Sequence, residues 1–229
     1  MQRRVEPEWL DELPPDDRRA VRSRRDLQRI HSWMGNVGIM ARRLSRVTPS
    51  AEDLSVTELG AGDGTFMLRV ARRLEGRWKK MKLTMVDRQS VVAVETRRGF
   101  AELGWELETI SADGFEWLGS AAPVDVITAT LFLHHFPDAK LKRLLQQMAA
   151  RSSHVLVCEP RRSALALSAS RLLGLIGCNA VTRRDGVVSV HAGFCDHELS
   201  SLWPLDGRWI VEEKDAGFAS HTFSARRAT

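Results

Sequence analysis

The spacing of apolar positions changes character near residue 50 of the 229-residue chain. Before it, Asp16 to Ile30 sets opposite charges close together, and His31 to Val47 is amphipathic with a helical period. Both stretches predict helices, with Gly35 and Gly38 as the weak point between them and Pro49 as the end of the unit. After it, short β-rich runs alternate with helical ones. The predicted strands are Leu54–Leu59, Lys82–Asp87, Trp105–Ser111, Val124–Phe132 and His154–Pro160. Between them Thr65–Glu75, Ser90–Gly104 and Ala139–Arg151 carry the helical period. Such alternation predicts a mostly parallel sheet with helices on both faces.

Two further strand-like runs, Arg208–Asp215 and Ser220–Arg227, are separated only by a few residues around Gly217. A connection that short favours an antiparallel pair over another crossover. The expectation is seven strands with the last one antiparallel, and two regions: a helical cap over 1–50 and a sheet domain over 51–229. The apolar stretch Ala164–Val181 is interrupted by Arg171 and several serines. It therefore makes a poor membrane span and is expected as a buried or pocket-lining helix.

Composition adds little. Net charge is +5. Eight arginines in the first 30 residues are accompanied by seven acidic residues, which suits a solvated helix face better than a nucleic-acid arm. Three cysteines without C-x-x-C spacing suggest no disulfide framework, and the basic N-terminus is not followed by an apolar run. A cytoplasmic protein is the expectation.

The chemistry concentrates where the first strand ends, in "VTELGAGDGTF". Gly60, Gly62 and Gly64 alternate after the acidic Glu58. Glycines there allow tight turns and close backbone approach to a ligand, and open α/β sheets bind ligands at such strand ends. The dinucleotide pattern G-x-G-x-x-G would put its third glycine at position 65, which is Thr65. That displacement argues against a nicotinamide-dependent oxidoreductase, which stays as an alternative. Asp87, ending the second strand 23 residues after Gly64, offers a carboxylate for two ribose hydroxyls. Arg88 beside it could receive a 2′-phosphate, which Asp87 would repel.

"ELGAGDG" resembles the cofactor loop of the class I S-adenosylmethionine-dependent methyltransferases. The resemblance implies a Rossmann-like, doubly wound α/β fold with seven strands, S-adenosyl-L-methionine as donor and S-adenosyl-L-homocysteine as product. It implies cofactor contacts from Glu58, Gly60, Ala61, Gly62, Gly64, Asp87 and Arg88. Asp113 would accept from the adenine amino group, with Ala112, Gly114 and Phe115 around the ring, and Thr130 and Leu131 would follow at the end of strand four. Glu58 has two open readings, holding the cationic end of the donor and capping the loop amides.

Strand four continues into Leu-His-His-Phe-Pro-Asp rather than Asn-Pro-Pro-aromatic. That run, with "CEPRR" after strand five, is similar to small-molecule methyltransferases of quinone and polyketide pathways. The acceptor implied is a small, fairly apolar hydroxylated or aromatic molecule, with O-methylation favoured over C-methylation. A histidine is the natural base near neutral pH, so His134, His135 and then His191 are the catalytic candidates. Both members of the 134–135 pair also have a structural reading. His31, Trp33, Met34 and Arg162 are candidate acceptor contacts. "HAGFCDH" lacks the second ligand cluster a zinc site needs, so no metal is expected. A protein that binds the cofactor without turnover is the other alternative.

Overall fold

The structure is a computed structural model that describes residues 1–48, 53–204 and 206–228. Pro49 and the 50/51 boundary expected from sequence lie outside the described residues. The strands are β1 (Asp53–Leu59), β2 (Lys80–Asp87), β3 (Trp105–Ser111), β4 (Val124–Thr130), β5 (Ser152–Pro160), β6 (Trp209–Ala216) and β7 (Ser220–Arg227). They form one sheet in the order β3-β2-β1-β4-β5-β7-β6. All pairings are parallel except those of β7, which runs antiparallel to both β5 and β6. The tight connection through Gly217 (φ 73°) makes that reversal, as the short spacing predicts.

Helices cover both faces. α3 (Asn36–Leu44), α4 (Thr65–Arg72) and α5 (Val94–Glu102) pack on one. α6 (Gly114–Ser120), α7 (Asp138–Arg151) and α10 (Glu198–Leu202) pack on the other. Val37, Met40 and Leu44 of α3 share a core with Leu54 and Val56 of β1. α2 (Arg18–Trp33) ends at Gly35, whose φ of 72° favours glycine, whereas Gly38 lies inside α3 and does not break it.

Ala164–Val181 departs from expectation. α8 (Ala164–Arg171) gives way to a 3-10 turn (Leu173–Ile176) and to Gly177 at φ 77°, after which α9 (Ala180–Ala192) starts from its cap Asn179. The segment is largely exposed rather than buried, because only Ala166, Ser170 and Cys178 turn inward before α9. The first dozen residues form a strap with one short turn, α1 (Trp9–Glu12). The Trp9 and Leu10 amides donate to the Asp185 carboxylate on α9, both at 2.9 Å.

Candidate functional site

The Gly60–Gly64 loop leaves β1 where the parallel strands end. Its amides are satisfied one by one: Gly60 donates to the Val86 carbonyl at 2.9 Å, and Gly62 donates to Asp87 Oδ2 at 2.9 Å. Gly60, Gly62 and Gly64 all have φ between 55° and 73°. A Cβ at Gly60 would lie 2.4 Å from the Phe132 ring, and one at Gly64 would lie 2.8 Å from Met85. A Cβ at Gly62 would meet nothing within 4 Å, so the Cα of Gly62 borders open space. Gly60→Ala should therefore lower stability by about 1–3 kcal/mol through strain and overpacking. A thermal melt checks this; an unchanged midpoint would contradict the packing argument.

Two carboxylates border that open space. Asp87 accepts from Gly62 N and Gln89 N, one bond on each oxygen, which leaves lone pairs on both. Asp113 caps α6, its Oδ1 accepting from Phe115 N at 2.9 Å and Glu116 N at 3.3 Å. Its Oδ2 makes no bond among the described residues. The Ala112 amide donates to the Asp87 carbonyl at 3.0 Å and ties the two strand ends together. Phe132 lies between them and the loop, near Gly60 and within 3.4 Å of a Cβ built at Gly114. Leu131 holds a left-handed φ of 52°, strained for a side chain of its size, at the end of β4. A side-chain-free backbone bordering open space, with unengaged carboxylate lone pairs beside it, fits an adenosine-type cofactor.

Glu58 points into the β1–β4 core and accepts from the Thr128 hydroxyl. It caps no loop amide, since Asp87 does that instead. Burial holds its carboxyl up at about 8. Arg88 turns outward, 3.9 Å from Asp11. Thr130 is buried, and its hydroxyl has no partner among the described residues.

The paired histidines separate into two environments. His134 is 3% exposed in its side chain and clamped at both nitrogens: Nδ1 to Glu159 Oε2 at 2.7 Å, Nε2 to Glu8 Oε1 at 3.3 Å. Glu159 also accepts from the Phe132 and Leu133 amides, at 3.0 and 2.9 Å, fixing the turn after β4. Burial alone would push the His134 imidazole down, but Glu159 and Glu8 outweigh it and hold it up at about 9. An imidazolium engaged at both nitrogens has no lone pair to take a proton. His135 is 23% exposed, stacks on His134 at 4.2 Å, and has Nδ1 3.4 Å from Asp11 Oδ2. Burial, then the neighbouring His134 cation, lowers its pKa and leaves it neutral at pH 7.

Ligand atoms of Glu8, His134 and His135 lie within 4.8 Å of one another. Both His134 nitrogens are already engaged by carboxylates, and the two rings are tilted by 33°.

The remaining candidates are distributed differently. His191 is not on a loop: it sits in the last turn of α9, lining a shallow groove with Arg4, Glu6 and Arg184, away from the glycine loop's partners. Arg162 is neither solvated nor open to an acceptor. It is buried, and its guanidinium donates to the Met1 and Gly193 carbonyls and to Glu198. Arg161 pairs with Asp215 at 2.6 Å. His31 stacks on Phe66 at 4.8 Å, and its neighbour Gln28 donates to Asp63 of the loop at 2.8 Å, so α2 leans on the loop. Met34 is half-buried, and Trp33 is 61% exposed. Sequence reasoning passed over Glu8, Asp11, Phe132, Glu159 and Asp185. Glu159, within the "CEPRR" run, had a local signal; the strap residues had none.

Residues 56–154, a little under half of the chain, match the family model described as a methyltransferase domain. No curated protein matches the chain. Among solved structures, the plantazolicin methyltransferase BpumL in complex with SAH superposes with TM-score 0.65 at 14% identity, covering 93% of this chain and 92% of that one. An O-methyltransferase family protein from Burkholderia thailandensis gives 0.61 at 18%, covering 93% and 61%. The mitomycin 7-O-methyltransferase MmcR gives 0.57 at 19%, covering 96% and 60%. This chain thus spans about three fifths of the length of the last two. At these identities the likeness is one of fold.

Proposed function

From the premise that the chain carries a methyltransferase domain of the class I, S-adenosylmethionine-dependent type, we propose that it methylates a hydroxyl of a small, fairly apolar acceptor. The observation that carries the donor reading is the open space at Gly62, bordered by Asp87 and by Asp113 with its unengaged Oδ2. Asp87 receives the ribose hydroxyls and Asp113 the adenine amino group, with Phe132 against the ring. The donor supplies a methyl group already activated on a sulfonium.

The protein's own task is alignment and proton removal. Orientation of two bound reactants can supply about 7–11 kcal/mol of a barrier. His135 is the base: with Nδ1–H toward Asp11, Nε2 carries the lone pair that takes the acceptor proton. The acceptor oxygen then takes the methyl group, and the proton leaves through the exposed edge of the ring. The adjacent His134 cation makes a second positive charge on His135 short-lived, which favours that release. Natural-product O-methyltransferases among the fold neighbours agree with this class of acceptor.

Calorimetry with S-adenosylmethionine and S-adenosylhomocysteine, followed by a methyl-transfer assay over phenolic and polyketide-like hydroxyl compounds, tests the reading. No binding at high micromolar cofactor would overturn it, and binding without any turnover would leave a cofactor-binding protein instead. Glu58 adds a proton linkage. Its carboxyl keeps its proton below about 8, and a sulfonium bound nearby favours the charged form. Binding of S-adenosylmethionine should then expel a proton near pH 7 and tighten as pH rises toward that value. S-adenosylhomocysteine, lacking the sulfonium, should show less of both. Equal proton release for the two, measured in buffers of different ionisation enthalpy, would remove Glu58 from the cationic end of the donor.

A further inference from the structure

The segment between α8 and α9 forms an apolar ridge that nothing among the described residues covers. Leu165 and Leu172 stand seven positions apart, two helical turns, and so share a face of α8; Leu175 continues it on the 3-10 turn. Leu175 is 82% exposed and Leu172 58%. Single exposed leucines are ordinary, but a run of them along one protruding edge is not.

Guanidinium groups flank the ridge. Arg171 lies within it, and Arg183 packs over Gly174, its Cδ 3.2 Å from where a Cβ would stand. From the other side Arg22 donates to the Gly177 carbonyl at 3.0 Å, and Arg29 reaches the Ile176 carbonyl at 3.5 Å. Only Arg29 has an acidic partner among the described residues, Asp26 at 2.5 Å. Trp33 lies one turn beyond Arg29 on the same face of α2 and adds an exposed indole.

We propose that this face docks on an anionic lipid surface, with the leucine ridge entering the headgroup layer and the arginines meeting lipid phosphates. The charge is complementary to such a surface, and apolar side chains ringed by Lys or Arg are the composition of interfacial segments. No helix among the described residues is long and apolar enough to cross a membrane, so the contact is peripheral. The inference does not depend on the methyl acceptor.

Co-sedimentation of the full chain with vesicles of phosphatidylcholine containing about one part in three phosphatidylglycerol tests it, against phosphatidylcholine alone. The expected result is binding at least about tenfold stronger to the anionic vesicles, weakened by salt. Leu172→Glu with Leu175→Glu should reduce it about tenfold while the melting midpoint and cofactor affinity stay native. Arg171→Glu with Arg183→Glu should reduce it comparably. Undiminished binding by the leucine variant would leave only electrostatic adsorption of a basic protein and overturn the proposal. Failure to sediment with anionic vesicles would overturn it too, and retention on an acidic protein bead in that case would reassign the face to a protein partner.

Discussion

His135→Ala should lower kcat by about 100- to 10,000-fold, the usual contribution of a positioned general base. Cofactor affinity should stay close to native, because His135 makes no contact with the glycine loop. The pH profile carries the sharper signature. The folded pKa of His135 lies below its ordinary 6.5, so kcat/KM should rise on an acid limb below that value and then flatten. The limb should vanish in the alanine variant. His134→Gln makes the contrast: it breaks a buried imidazolium held between two carboxylates, so its main cost should be stability, and a residual acid limb should persist. Full turnover by His135→Ala would remove proton abstraction by this residue from the reaction.

Asp87→Ala has the second largest expected effect. Hydrogen bonds to a charged acceptor are worth about 1.5–3 kcal/mol, which corresponds to about ten- to hundredfold in Kd for the donor. The substitution also orphans the Gly62 and Gln89 amides, so some of the loss comes from a loosened loop. Asp87→Asn separates the two contributions. Its carbonyl oxygen can still accept from Gly62 while its amide group faces the Gln89 N–H, so the melting midpoint should fall less than in Asp87→Ala while affinity still falls. Native affinity in Asp87→Asn would refute the ribose assignment.

The elements legible in the sequence are those whose signal is local. Trp105–Ser111 and Ser220–Arg227, each bounded by a turn signal, coincide with β3 and β7 to the residue. The glycine loop declares itself because three positive-φ positions need glycine, and Asp87 follows from its place at a strand end. Some residues carry more than one local signal. Asp113, read as an adenine acceptor from its place after strand three, also caps α6. The apolar count of Ala164–Val181 suggested one buried or pocket-lining helix, but Gly177 in the left-handed region and the cap Asn179 divide it. The acceptor side was illegible for another reason. Glu8, Asp11 and Asp185 stand in unremarkable stretches, and only the fold brings Glu8 to His134, Asp11 to His135 and Asp185 to the strap amides.

That separation governs the order in which the molecule is assembled. The bond that shapes the donor loop, Gly62 to Asp87, spans 25 positions. Those that seat Glu8, to His134 and Ser189, span 126 and 181. Short loops close at lower entropic cost and earlier than long ones. During synthesis the donor loop can form once β2 has emerged, whereas the amino-terminal strap must wait until α9 has been made. The strap therefore locks after the donor loop, and the chain gains the shape that grips its donor before the shape that can use it.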